Sequence, residues 1–120
     1  MSKVNIDNIK AQMRRGILEY CILSILSERD AYASVIITEL KESEMIIVEG
    51  TLYPLLTRLK NQDLLAYRWE ESNQGPPRKY YTITEKGEQV LSELDDAWED
   101  LVSVIKNIRK KGSNSNTEIQ

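Results

Sequence analysis

A mainly α-helical fold carrying one small β-hairpin is what this sequence predicts, and three observations predict it. Apolar residues recur at spacings of three and four in four separate stretches, the mark of helices with one buried face. A fifth stretch alternates aromatic and cationic residues around Gln74-Gly75-Pro76-Pro77, which reads as two short strands joined by a stiff turn. The hairpin lies after three helical stretches and before the fourth, so the predicted order is helix, helix, helix, hairpin, long helix.

Asp7 is placed to cap a first helix running to about Ser27. Ile9, Met13, Ile17, Cys21 and Ile25 recur every four residues, and Leu18, Ile22 and Leu26 add a second apolar face. Two such faces exceed what one neighbour needs. Asp30 is expected to cap a second helix, in which Ala33, Ile36, Ile37 and Leu40 fall at i, i+3, i+4 and i+7. Met45 to Val48 is short, apolar and partly β-branched, and is expected as a minimal strand at a sheet edge.

Leu52, Leu55, Leu56 and Leu59 repeat the template of the second helix. Pro54 belongs in the first turn of this third helix, because deeper in it would lose a hydrogen bond and clash with the carbonyl of Gly50. A start near Gly50 or Thr51 and an end over Asn61 to Asp63 follow. Leu65 to Glu71 then forms one strand, Ser72 to Pro77 the tip, and Arg78 to Ile83 the return. Thr84 caps a fourth helix predicted to reach about Lys110, with Gly112 ending it and a polar, disordered tail beyond.

Composition excludes several classes of function. The 120 residues suffice for one core, with 41 % hydrophobic and 29 % charged residues typical of a soluble globular protein. No apolar run approaches a membrane span or a secretion signal, so the cytoplasm is the expected location. The lone Cys21 sits in an apolar run and reads as an inert buried thiol. With no histidine at all, the usual general base and the His-containing zinc sites are missing. No enzyme, cofactor or metal site is expected.

Net charge is −3, yet its distribution is uneven. Between Thr51 and Tyr81, five cations (Arg58, Lys60, Arg68, Arg78, Lys79) face three acids, a net +2. Between Glu85 and Ile105, Lys86 stands alone against seven acids, a net −6. One region suits an anionic partner, and the other suits a different task.

The order of elements is that of a winged helix-turn-helix, in which one helix enters the major groove of DNA and the hairpin grips phosphates beside it. With its leucines inward, the third helix presents Thr51, Tyr53, Pro54, Thr57, Arg58 and Asn61. An ordinary solvated face is the competing reading, although such faces carry more Glu and Lys than Thr, Tyr and Asn. Arg78 and Lys79, projecting beside a braced Gly-Pro-Pro turn, read as phosphate contacts, against the alternative of mere solubility. For the hairpin aromatics, packing is the expectation for Trp69 and for one of Tyr80 and Tyr81.

Leu91, Leu94, Trp98, Leu101, Ile105 and Ile108 are spaced 3, 4, 3, 4 and 3, a coiled-coil seam that calls for a partner, and a second copy of the chain is the economical one. Packing against the first helix of the same chain is the alternative, and the two are compatible. Trp98 is bulky for a tight seam. Two symmetry-related indoles would leave a flat slot for a planar ligand, or Trp98 would simply fill the dimer core.

At these residues the chain resembles the PadR-like family of bacterial winged-helix transcription regulators, in the short form with one C-terminal dimerisation helix. The resemblance is densest at Met13 to Glu19, at Gly50 to Leu59, and at Gly75 to Thr84 with Gly87. It implies a homodimeric repressor that binds an operator in double-stranded DNA and is released by a small effector. It further implies groove contacts from Thr51, Tyr53 and Arg58, wing contacts from Arg78 and Lys79, and backbone contacts from Tyr32 and Ser34. Trp98 falls where drug-binding members of the family stack planar aromatic compounds. Two departures stand out: Asp63 replaces the usual Gly after the recognition helix, and the acidic Asp95 and Asp96 lie near Trp98, which would either favour a cationic ligand or leave no ligand pocket there at all. The expected layout is a winged-helix DNA-binding domain over 1–83, a dimerisation helix over 84–111 and a disordered tail over 112–120. A winged-helix protein-interaction module that no longer binds DNA is the rival reading.

Overall fold

The computed structural model describes residues 4–119, with side chains as far as Lys111. Four helices and a three-stranded sheet follow in the order α1 (Ile6–Glu28), β1 (Ala31–Tyr32), α2 (Ala33–Glu42), α3 (Glu49–Asn61), β2 (Leu65–Ser72), β3 (Gly75–Ile83) and α4 (Glu85–Ile119). The sheet is antiparallel with strand order β1-β3-β2. This is the mainly helical, winged arrangement the sequence predicts, with its long C-terminal helix.

The core collects the inner face of every element. Ile22, Leu23 and Leu26 of α1 meet Ile36 and Leu40 of α2 and Leu52, Leu56 and Leu59 of α3, all buried. Leu64, Leu65, Tyr81 and Leu91 close it from the hairpin root and the first turns of α4. Helices α2 and α3 both end in the same way. After α2, the amide of Met45 reaches back to the carbonyl of Leu40 and that of Glu44 to Lys41; after α3, Leu64 reaches Leu59 and Asp63 reaches Lys60. Both are Schellman closures, with Glu44 and Asp63 in the left-handed region at φ 67° and 63°.

Several local expectations are corrected. The third strand is Ala31–Tyr32, paired with Tyr80 and Tyr81, and not Met45 to Val48. It is β1 that lies along β3 beside the core, and the segment before α3 joins no strand among the described residues. Two residues are also too few for alternation to reveal in a sequence. That pairing moves the start of α2 on to Ala33, so Asp30 caps nothing; its carboxylate lies 3.7 Å from Arg68 instead. For α1 the cap is Asn5, whose side chain accepts from the amide of Asn8, and Asp7 sits within the first turn.

Helix α3 begins at Glu49, so Pro54 lies in its second turn and not its first. The amides of Thr51 and Leu52 both bond to the carbonyl of Val48, which closes the first turn ahead of the proline. Helix α4 does start at the expected cap: Thr84 Oγ1 accepts from the amide of Gly87 and donates to the carbonyl of Asp63. The helix continues through Gly112 to Ile119, past the expected end near Lys110. A glycine in a helix costs about 1 kcal/mol relative to alanine, a penalty that does not by itself stop the helix. Gln120 lies outside the described residues.

Candidate nucleic-acid interface

With Leu52, Leu56 and Leu59 fully buried, the rest of the α3 surface is committed outward. Thr51, Tyr53, Pro54, Thr57, Arg58 and Asn61 are all exposed, Tyr53 by 47 %. Tyr53, Pro54, Thr57, Arg58 and Asn61 share one shallow hollow. Arg58 also lies 3.4 Å from Glu19 of α1. An ion pair this exposed is worth less than about 1 kcal/mol, so Glu19 orients the guanidinium without locking it away from a stronger anion.

The hairpin carries its cations on aromatic rings. On one face, Arg78 lies 4.0 Å over Tyr32, Tyr32 meets Tyr80 edge-on at 4.8 Å, and Arg68 lies 4.5 Å over Tyr80. Cation, ring, ring and cation thus run across all three strands. Arg68 is pinned at its end by Glu70 at 2.7 Å. On the other face Lys79 sits 4.6 Å over Tyr67 and 5.6 Å over Trp69, its direct cross-strand partner. Each contact contributes roughly 0.5–1 kcal/mol at an exposed site, enough to bias long side chains toward one direction.

Strand β1 stops at the Tyr32 and Tyr80 pair, which leaves the outer edge of β3 open toward the tip. A trough of about 300 Å³ lies there, between the start of α2, α3 and the hairpin. It brings together Tyr32, Ser34, Tyr53, Arg78 and Lys79, five of the seven residues expected at a DNA surface. Arg58 lies in the neighbouring hollow, which shares Tyr53 with the trough. Thr51 is set apart, in a hollow of about 290 Å³ between α1 and the segment before α3, where Arg14 and Arg15 are its cationic neighbours.

Trp69 is where the expectation of packing is overturned. The indole is 61 % exposed and lines the trough, while Tyr81, across from Tyr67, is the buried aromatic. Trp69 lies past the last core residues of β2 and faces the open trough between the hairpin and α3, and so has no core to enter. The one signal in the sequence was its position among cations near the turn.

Helix α4 divides its apolar seam. Leu91 is buried and Leu94 half-buried against the chain's own core. Trp98, Leu101, Ile105 and Ile108 stand exposed, from 43 % at Trp98 to 63 % at Ile108. Val4, just ahead of α1, and Ile6, Ile9 and Met13 in its first half are exposed as well. The inner half of α4 is fastened to α1 by two side-chain bonds: Ser27 donates to Glu88, and the Tyr20 hydroxyl donates to Asp95 at 2.5 Å. That bond, with the carboxylate charge beside it, pushes the Tyr20 pKa up to about 12. Asp95 is therefore already engaged, and of the two acids near Trp98 only Asp96 has no bond within the chain among the described contacts. Cys21 is half-buried and not fully enclosed, and its partial burial pushes the thiol pKa up, away from the thiolate. No helix among the described residues is long and apolar enough to cross a membrane.

Comparison with known proteins agrees with this architecture. The family model described as the transcriptional regulator PadR-like family matches residues 22–93, which spans α2, α3, the hairpin and the inner part of α4. A PadR-like transcription factor from Bacteroides fragilis is 60 % identical, with a TM-score of 0.74 over 84 % of this chain and 98 % of that one. A PadR family transcriptional regulator from Eggerthella lenta is 35 % identical, with a TM-score of 0.80 over 86 % of this chain and 90 % of the other. A PadR-like regulator from Bacillus cereus is 37 % identical, with a TM-score of 0.71 over 81 % and 95 %. With more than half its length matched and its fold shared, the chain belongs to the PadR-like family of transcriptional regulators.

Proposed function

We propose that this PadR-like regulator acts in the cytoplasm as a homodimeric repressor that binds operator DNA through α3 and the hairpin. The observation that carries the reading is the trough in which Tyr53 of α3, Tyr32 of β1, Ser34 of α2, and Arg78 and Lys79 of the wing converge. Tyr53 and Arg58 are proposed to face base edges in the major groove, with Thr51 at the end of the same helix beside Arg14 and Arg15. Arg78 and Lys79 are proposed to hold phosphates, as are Tyr32 and Ser34. The exposed outer half of α4, from Trp98 to Ile108, is proposed as the surface joining two copies. A planar aromatic effector stacked between the two Trp98 rings would change the spacing of the recognition helices. Such a ligand releases DNA only by the difference in its affinity for the two arrangements.

A gel-shift titration on DNA from upstream of its own gene tests the reading. The wild-type protein should retard that fragment ahead of a random duplex of equal length. Replacing both Arg78 and Lys79 by Ala should weaken binding and lower the magnitude of the log–log salt slope by roughly 2–4 for a dimer, since up to four phosphate contacts are lost. A slope left unchanged would show that these cations do not meet phosphate.

A further inference from the structure

We infer that Trp69 is a DNA-contacting residue of the wing, one that seats its indole on the deoxyribose face of the strand crossing the trough. The inference rests on the DNA-binding reading above and adds to it an apolar contact in a surface otherwise described by charge. An indole 61 % exposed offers a broad apolar face to the trough, and it is not left loose. Tyr67 braces it edge-on at 5.9 Å with the planes 89° apart, and Lys79 lies 5.6 Å over its ring. A ring held so is presented at low entropic cost to whatever enters the trough.

Geometry chooses the occupant. The trough has Tyr53 of the recognition helix on one wall and the wing on the other. If α3 enters the major groove and the wing meets the adjacent minor groove, the strand dividing those grooves must cross this trough. Such a strand alternates phosphates with sugars. Arg78 and Lys79 match the phosphates in charge, and the indole matches the apolar sugar between them. Trp69 sits three residues before the end of β2, on the wall and not at the hairpin tip. From there it meets the outside of the strand and does not reach between base pairs. Its contribution is therefore independent of base sequence and of salt.

Two measurements on the full-length protein test this, using a fluorescein-labelled random 30-base-pair duplex and the preferred upstream duplex. Only two tryptophans are present, so in Trp69→Phe the remaining emission is that of Trp98. Wild-type tryptophan emission should change in step with duplex binding followed by anisotropy, and should become shielded from iodide; in Trp69→Phe this response should be absent. Trp69→Ala should weaken binding to both duplexes roughly tenfold with an unchanged salt slope, and Trp69→Phe should recover part of the loss. An equal emission change in Trp69→Phe overturns the inference, as does a Trp69→Ala protein that binds as wild type. A reduced salt slope in Trp69→Ala would also overturn it, since the indole would then act only by aiming Lys79. If duplex binds yet none of these effects is seen, the DNA-binding reading stands and the role of Trp69 falls. If neither duplex binds, both fall.

Discussion

Asp63 holds the left-handed backbone at φ 63° immediately after α3, a conformation that costs most residues about 1–2 kcal/mol. Aspartate tolerates it better than most, and what the chain needs from this position is backbone only. The amide of Asp63 closes α3 on Lys60, and its carbonyl accepts from Thr84 at the head of α4. Glycine would keep both bonds without the Cβ penalty. Asp63→Gly should therefore stabilise the fold by about 0.5–1 kcal/mol, read as a higher urea midpoint at constant m. A loss of stability would mean that the carboxylate makes a contact worth more than the strain. The exposure of Trp69 likewise follows from one residue's place along a strand that outruns its core.

Among the elements, the junction between the hairpin and α4 is the most tightly specified. Leu64 ends the turn after α3, and its carbonyl accepts from the amide of Thr84. The same carbonyl would lie 2.2 Å from a Cβ added at Gly87, and Ile83 Cγ1 would lie 2.6 Å from it. Gly87 thus lets the first turn of α4 pass directly over the hairpin root. Gly87→Ala gains up to about 1 kcal/mol of helix propensity and should lose more through overpacking, which costs roughly 1–3 kcal/mol. The neighbouring backbone cannot yield as a flexible side chain would. A net loss of about 1–2 kcal/mol in denaturant melts is the expected outcome; a variant as stable as wild type would show that α4 can slide outward. Because α4 carries the exposed seam and the hairpin carries the wing, this junction also sets the angle between the proposed dimer surface and the proposed DNA surface.

For the molecule as a whole, shape carries the argument. Its radius of gyration is 18.7 Å, against about 14 Å for a compact domain of this length. The excess is α4, which leaves the core after Leu94 and carries Trp98, Leu101, Val104, Ile105 and Ile108 exposed along its outer half. Among the described residues nothing covers that apolar row, and a second copy is proposed as its partner. Leu101→Asp should leave the helical signal unchanged, since Leu101 is 55 % exposed in a single chain. In a paired seam it would bury an unpartnered charge and dissociate the dimer. Light scattering should give twice 13.9 kDa for wild type and the single mass for the variant. A wild-type protein that stays monomeric at micromolar concentration would refute the proposed assembly.

The sequence by itself determined the helices, the hairpin and their order: each helix buries one face that the spacing of leucines and isoleucines records, and the turn residues Gln74 to Pro77 between two alternating stretches mark the hairpin. It also marked Arg78 and Lys79, since two cations beside Gly75-Pro76-Pro77 need no tertiary information to be noticed. The short strand Ala31–Tyr32 escaped it, and with it the true start of α2, because two residues pair only when β3 supplies an edge. Asp30, Glu19 and Asp95 likewise gained their roles from distant partners: Arg68, Arg58 and Tyr20. The split of the α4 seam at Leu94 was equally hidden, for a spacing of threes and fours does not say which turns meet the chain's own core. Burial and pairing are properties of what lies across from a residue, and only the folded chain decides what that is.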